Sequence, residues 1–355
     1  MRVGIPKETK VLEGRVGLIP AACADLVLGN HRVFLEQGAG EKSGYSDDDY
    51  RAVGVEIVKD AATVYQQGEL LIKVKEPQQA ELKFLREDHL LFCYLHLAAT
   101  PELAKGLQEI GLEAVAFETV EVNHALPLLR PMSDIAGRLA VQVGTHLLHA
   151  PQGGRGILLG GLPAAPRGRV VVIGAGSAGG NSAIVAAALG AHVTVFDRDW
   201  EKLERMRALG PNVTALYPYQ DAVTQAVREA DLLIGAVLMT GDRAPHVVSA
   251  DMVRNMKPGS VIADISVDQG GCVETTRPTT YADPTYLWEG VIHFAVTNMP
   301  GAVPRTASQA LSAALIPYAM KLADGRWRED TALARGVNVR AGKIVHPVVE
   351  RALAS

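Results

Sequence analysis

The run VVVIGAGSAGGNSA, Val170 to Ala183, constrains the fold more than any other stretch of the 355-residue chain. Its valines and Ile173 read as a strand buried on both faces, the glycines as a tight turn and the alanine-rich continuation as a helix. In such a strand–turn–helix unit the spacing G-x-G-x-x-G has a physical meaning at each position. Gly174 lets the chain turn sharply out of the strand, Gly176 lets backbone approach a pyrophosphate, and Gly179 lets the helix pack closely on the strand. Ser177 and Ala178 open the helix, whose first N–H groups and partial positive charge face the phosphates. A second strand, HVTVF, leads to Asp197 about 20 residues on, where a carboxylate accepts hydrogen bonds from a ribose and repels a 2′-phosphate. NAD is therefore expected over NADP, although Arg198 beside the acid pulls the other way.

This signature sits near the middle of the chain, so a whole α/β unit precedes it. At about 150 residues per domain the length suggests two domains. Before residue 128 the strand candidates RVGIP, HRVFLEQ, ELLIKVKEP, HLLFCYLHL and EAVAFET alternate with helical patterns. TPELAKGLQEIG supplies a helix between the last two, with Thr100 as cap, Pro101 first, Glu102 in the first turn and Gly111 as stop, which makes its flanking strands parallel neighbours. MSDIAGRLAVQVGTHLLHA reads as a connecting helix that Ser133 could cap, followed by the loop PQGGRGILLGG. After the glycine signature come HVTVFDRD, ADLLIGAVL, GSVIADIS and IHFAVTNMP, a second doubly wound unit. A strong helix, TASQALSAALIPYAMKLAD, then leads to the short strand KIVHP, a tail that could return to the first domain.

Composition narrows the class. Hydrophobic residues make up 48% and charged residues 21%, ordinary for a globular enzyme. With net charge −4 and no long run of like charge, neither nucleic acid nor an anionic membrane is expected as a partner. Cys23, Cys93 and Cys272 are odd in number and far apart, which argues against disulfides and zinc and for a reducing cytoplasm. MRVGIPKETK lacks the apolar core of a signal peptide, and Gly, His or charge interrupts the apolar stretches elsewhere well short of the roughly 20 residues a spanning helix needs. Neither export nor membrane insertion is expected.

Ligands of open α/β sheets bind beyond the carboxyl ends of the strands, so polar residues there are the candidates. In LLIKVKEP, Lys73 and Lys75 fall on one face of an otherwise buried strand that Pro77 ends. A buried ammonium is costly without a negative partner, so one of them could await a substrate oxygen; alternatively both snorkel to solvent. LLFCYLH runs directly into His96, the histidine best placed as a crevice acid or base, with a structural hydrogen-bonding role as the other reading. GSVIADISVDQGG contains Asp264 and ends near Asp268, where two glycines let backbone approach a ligand. Asp268 could be a base or the partner of a cation, or simply form an Asx turn.

Taken in order, RVGIPKETK, RVGLIP, IKVKEP, YLHLA, MSDIAGRLAVQVG, QGGRGILLGG, VIGAGSAG, VDQGG with RPTTY, and TNMPGAVPRTAS resemble the alanine dehydrogenase family, the relatives of the transhydrogenase alpha subunit. The resemblance runs from Met1 to about Asp324. It implies an α/β fold of two doubly wound Rossmann-like domains, with an NAD domain (129–305) inserted into a discontinuous substrate domain (1–128 and 306–355). The implied activity is the NAD-dependent, reversible conversion of L-alanine to pyruvate and ammonia by a cytoplasmic homo-oligomer, often a hexamer. By motif, Arg15 and Lys75 would bind the substrate, and His96 and Asp268 would be the catalytic pair. Ser133, Asp197, Lys202, Asn298 and Met299 would line the cofactor site together with the glycine loop and with Val237 and Leu238. No metal is implied. Gly14 departs from the bulkier residue that often precedes the arginine in the family. Rival implications are a transhydrogenase-like NAD module, an opine- or saccharopine-type dehydrogenase with a larger amine substrate, and an NAD sensor without turnover.

Overall fold

The structure is a computed structural model that describes residues 1–237 and 244–354. Its strands are β1 (Arg2–Ile5), β2 (Arg32–Glu36), β3 (Glu56–Val58), β4 (Leu70–Ile72), β5 (Leu90–Cys93), β6 (Glu113–Ala116), β7 (Arg169–Ile173), β8 (His192–Phe196), β9 (Val213–Leu216), β10 (Leu232–Gly235), β11 (Val261–Asp264), β12 (Thr285–Trp288), β13 (Val291–Phe294), β14 (Val337–Arg340) and β15 (Lys343–Ile344). They divide between two compact units, Met1–Met132 with Gly301–Ser355, and Ser133–Pro300. The second unit is thus inserted into the first.

In the first unit the sheet order is β15-β14-β6-β5-β4-β1-β2-β3. The six strands from β6 to β3 are parallel, and the returning β14 adds antiparallel to β6 with Val337 opposite Val115. Its order reverses between β1 and β4, the switch point where doubly wound sheets open a crevice. Behind β4, β5 and β6, the residues Leu71, Leu91, Cys93, Ala114 and Ala116 build a core with Leu103, Ala104 and Leu107 of the helix Pro101–Ile110. That helix ends at Gly111, whose φ of 82° is the left-handed value the stop required. Thr100 starts it, but its hydroxyl donates to the His96 carbonyl at 3.0 Å and makes no capping bond.

The second unit has the order β12-β13-β11-β10-β7-β8-β9, parallel except for the antiparallel edge β12. The valines of β7 explain its burial. Val170 and Val172 belong to one apolar core, Val171 and Ile173 to another on the opposite face, as a parallel sheet covered by helices on both sides demands. Leu232 and Ile234 against Leu233 repeat the alternation in β10. Both units are therefore Rossmann-like and doubly wound. Among the described residues, no helix is long and apolar enough to cross a membrane.

Three local expectations change. The connecting helix begins at Arg130 and runs to Leu147, so Ser133 lies inside its first turn and is not its cap. β4 ends at Ile72, so both lysines follow the strand, Lys73 directly after it and Lys75 in the bend at residues 74–75. The tail carries β14 ahead of β15, a strand the short KIVHP segment alone did not announce. Leu238 lies outside the described residues.

Candidate active site

The glycine loop of the second unit has the spatial requirements its sequence implied. A β-carbon at Gly179 would lie 1.8 Å from the Gly174 carbonyl oxygen, and one at Gly174, where φ is +98°, would lie 2.5 Å from that of Ala236. At Gly176 nothing lies within 4 Å. Gly176 also precedes the helix Ser177–Ala188 without any side-chain cap, so the exposed loop offers open space next to helix-end N–H donors. Asp197, one residue past β8, accepts the Ala175 N–H at 2.7 Å through Oδ2 and the Asp199 N–H at 2.9 Å through Oδ1. Its carboxylate therefore shapes the loop. Lys202 lies 3.9 Å from Asp197 and 3.7 Å from Asp199, while Arg198 is exposed. The open glycine loop and the acid at the strand end fit a dinucleotide.

MSDIAGR turns out to serve this loop through residues that sequence reasoning passed over. A β-carbon at Gly137 would lie 2.0 Å from the Ala178 carbonyl oxygen, so only glycine permits the connecting helix to approach the fingerprint helix so closely. Ser182 donates to the Gly137 carbonyl at 2.8 Å, and Asn181 donates to Asp134 and accepts from Arg138, both at 2.9 Å. Small-residue spacing in both helices was the available signal. Of the remaining cofactor candidates, Ser133, Val237 and Asn298 are half-buried, and Asn298 has a left-handed φ of 61°. Met299 is buried in the core of this unit, its carbonyl accepting from Tyr281 at 2.6 Å.

Asp268 stands exposed in the turn Ile265–Gln269 after β11. The Asx role falls instead to Asp264, which is fully buried and accepts from Ser266 N at 3.0 Å, Cys272 N at 2.9 Å, Val273 N at 3.1 Å and Thr276 Oγ1 at 2.7 Å. Burial pushes the Asp264 carboxyl up, against those donors, which hold it down. The loop that bears Asp268, with Gly270 and Gly271 at φ 92° and 81°, is thus tied to one buried anchor.

In the first unit, Arg15 is 2% exposed and forked onto Glu13, with Nε to Oε1 at 2.7 Å and Nη2 to Oε2 at 2.5 Å. Burial opposes its charge, but the hydrogen bonds and charge of Glu13 overcome this and raise the guanidinium further. Arg15 Nη1 donates to the Met132 thioether at 3.1 Å, a weak acceptor. Gly14 has its own reason, since a β-carbon there would lie 3.2 Å from those of Lys42 and Pro304.

The two lysines of KVKEP separate cleanly. Lys73 is 1% exposed and bonds Glu81 at 2.8 Å with Glu8 at 3.6 Å, so it neither snorkels nor awaits a ligand. Burial alone would depress its ammonium, and the two carboxylates reverse the shift upward. Tyr65, the Gln78 N–H and the Thr9 hydroxyl also donate to Glu81, at 3.0, 2.8 and 3.3 Å. Lys75 is half-buried, and Glu8 accepts its N–H and that of Val74. His96, exposed and left-handed at φ 48°, stacks on Tyr94 with ring centroids 5.8 Å apart and planes at 8°. Among the described residues no group of three or more His, Cys, Asp or Glu side chains is placed to hold a metal ion.

Two family models match nearly the whole chain: "Alanine dehydrogenase/PNT, N-terminal domain" over residues 4–136 and "Alanine dehydrogenase/PNT, C-terminal domain" over residues 140–347. An alanine dehydrogenase of Halomonas elongata is 46% identical over 99% of this chain and 96% of its own length. A solved L-alanine dehydrogenase superposes with a TM-score of 0.96 at 49% identity, covering 100% of this chain and 99% of that one. A transhydrogenase from Sinorhizobium meliloti, at 24% identity and TM-score 0.85 over 98% of this chain and 99% of its own, shares the fold.

Proposed function

The chain belongs to the alanine dehydrogenase/PNT family, and from that premise we propose that it catalyses the reversible oxidative deamination of L-alanine to pyruvate and ammonia with NAD as hydride acceptor. The observation that carries the reading is the end-to-end agreement with a solved L-alanine dehydrogenase at 49% identity. The transhydrogenase alternative has the shared family models and a likeness of fold at 24% identity, against 49% for the L-alanine dehydrogenase. The unit with the glycine loop takes the dinucleotide, and the unit with β1–β6 takes the amino acid.

Gly174, Gly176 and Gly179 with the uncapped start of the Ser177–Ala188 helix receive the pyrophosphate, and Asp197 the adenosine ribose. Ser133, Ala178, Lys202, Val237, Asn298 and Met299 complete that lining. Bound NAD supplies the acceptor for the hydride that leaves Cα. Arg15 binds the substrate carboxylate, which outcompetes the Met132 sulfur for Nη1, and Lys75 adds a second cationic contact. Fixing the carboxylate orients Cα, and orientation accounts for much of the rate. The substrate ammonium first gives up one proton to solvent; loss of hydride from the neutral amine then leaves a cationic imine, which Asp268 stabilises electrostatically. His96 takes a proton from the attacking water and returns one to the departing ammonia.

Absorbance in the NADH band tests this directly. Turnover is expected with NAD and L-alanine, and in reverse with pyruvate, ammonia and NADH. Turnover only with amines larger than ammonia, or binding without turnover, would overturn it. The glycine geometry gives a companion prediction. Gly179→Ala is expected to lose NADH binding and thermal stability together, because its methyl meets a backbone oxygen, whereas Gly176→Ala should fold normally and bind NADH more weakly. Fluorescence titration and thermal melts read both variants; normal NADH affinity in Gly176→Ala would remove the pyrophosphate from this loop. A cytoplasmic homo-oligomer, a hexamer by family resemblance, is part of the same proposal, and light scattering of a monomer would exclude the oligomer.

A further inference from the structure

Resting on His96 as the group that moves protons, we propose that Glu118 is a positioning residue for the reaction, holding His96 in a backbone conformation it would not otherwise keep. β5 and β6 are parallel neighbours, with Cys93 opposite Ala116. The chain leaves β5 through Tyr94 and Leu95 to His96, and leaves β6 into the short turn Phe117–Thr119. That places Glu118 beside the segment carrying His96. Glu118 Oε1 accepts the His96 N–H at 2.6 Å and the Leu95 N–H at 3.2 Å, and Oε2 accepts the Leu95 N–H at 3.3 Å.

The two amides have left the sheet ladder; its last bond on this segment runs from Tyr94 N to the Val74 carbonyl at 3.1 Å. One carboxylate takes over where the ladder stops, and an ionised acceptor holds an N–H more strongly than a carbonyl does. The strength matters because φ 48° and ψ 38° form a left-handed conformation, which a residue with a β-carbon keeps only when its surroundings over-determine it. The same turn also steadies the ring. Phe117 packs edge-on against Tyr94 at 4.9 Å, Tyr94 donates to the Leu128 carbonyl at 2.7 Å, and the His96 imidazole lies flat against Tyr94. Thr100 holds the His96 carbonyl at 3.0 Å. Glu118 is the charged member of this set and the one that reaches His96 from a neighbouring strand.

Glu118→Ala and Glu118→Gln, each made with His96 intact and with His96→Ala, test the proposal through kcat, KM for L-alanine, the NADH dissociation constant and the melting temperature. Glu118→Ala is expected to lower kcat about 100-fold while NADH affinity stays within about twofold, since a small misplacement of a reacting group has effects of that order. The glutamine variant, whose amide oxygen can keep the His96 bond, should regain about tenfold of the loss. In the His96→Ala background, Glu118→Ala should cost less than about threefold, because the group it acts through is already gone. If the alanine variant does not fold, the glutamine variant carries the same cycle. Equal losses with and without His96, or turnover of Glu118→Ala within about threefold of the unaltered enzyme, would overturn the proposal and leave the His96 assignment standing. Near-normal turnover of His96→Ala alone would overturn both.

Discussion

His96→Ala is expected to lower kcat about a thousandfold in both directions while NADH binds as before, the middle of the range for removing a general acid–base group. NADH binding should survive because the contacts proposed for its pyrophosphate and adenosine ribose, the glycine loop and Asp197, do not involve His96. Asp268→Asn keeps shape and removes charge, so it should lose kcat by about a hundredfold if the carboxylate stabilises a cation. Steady-state kinetics with alanine and with pyruvate plus ammonia, alongside NADH fluorescence titration, measure each effect. Turnover within about threefold of normal in either variant would dismiss that residue from the chemistry.

Lys73→Met should act on stability instead. It leaves Glu8 and Glu81 buried together without their cation, a change that costs about 3–5 kcal/mol when one partner of a buried pair is removed. For a unit of this size the melting temperature should fall by on the order of 10 °C. Burial already pushes the Glu8 carboxyl above its ordinary range, with Lys73 pulling it back, so the variant should shift Glu8 further toward its protonated form. Lys75→Met is the control: the same charge is removed from a half-buried site, and KM for alanine should rise with little change in melting. Calorimetry that found the two variants equally stable would refute the division of labour between these lysines.

That division shows how far the sequence could be read. Alternation placed Lys73 and Lys75 on one side of the chain and identified both as unusual, but it could not name a partner. Glu8 and Glu81 come from separate segments and meet Lys73 only in the fold. The glycine loop was legible because each glycine answers a local demand of turn, approach or packing that spacing alone encodes. Asp264 and Asp268 were harder to tell apart. They lie four positions apart, and the first, buried at the strand end, takes the backbone amides that an Asx reading assigned to the second. Edge strands escaped notice for a different reason: β9 and β12 are short and half-exposed, without the buried run of the central strands. Glu118 left no signal, since its role lies wholly in reaching across to the next strand.

The pairing of β14 with β6 also has a consequence in time. The two strands lie on either side of the inserted unit in the chain, so β6 waits for its neighbour until Ser133–Pro300 has been made. At about 5–20 residues per second the wait on the ribosome is on the order of ten to forty seconds, long enough for the inserted unit to fold first. During that interval the outer edge of β6 offers unpaired backbone groups, the kind of edge that recruits foreign strands. Glu113 at its start later bonds Arg340 of β14 at 2.8 Å and Arg328 at 2.6 Å, so the late-arriving segment is captured by charge as well as by its ladder. In this chain the unit synthesised first is the one completed last.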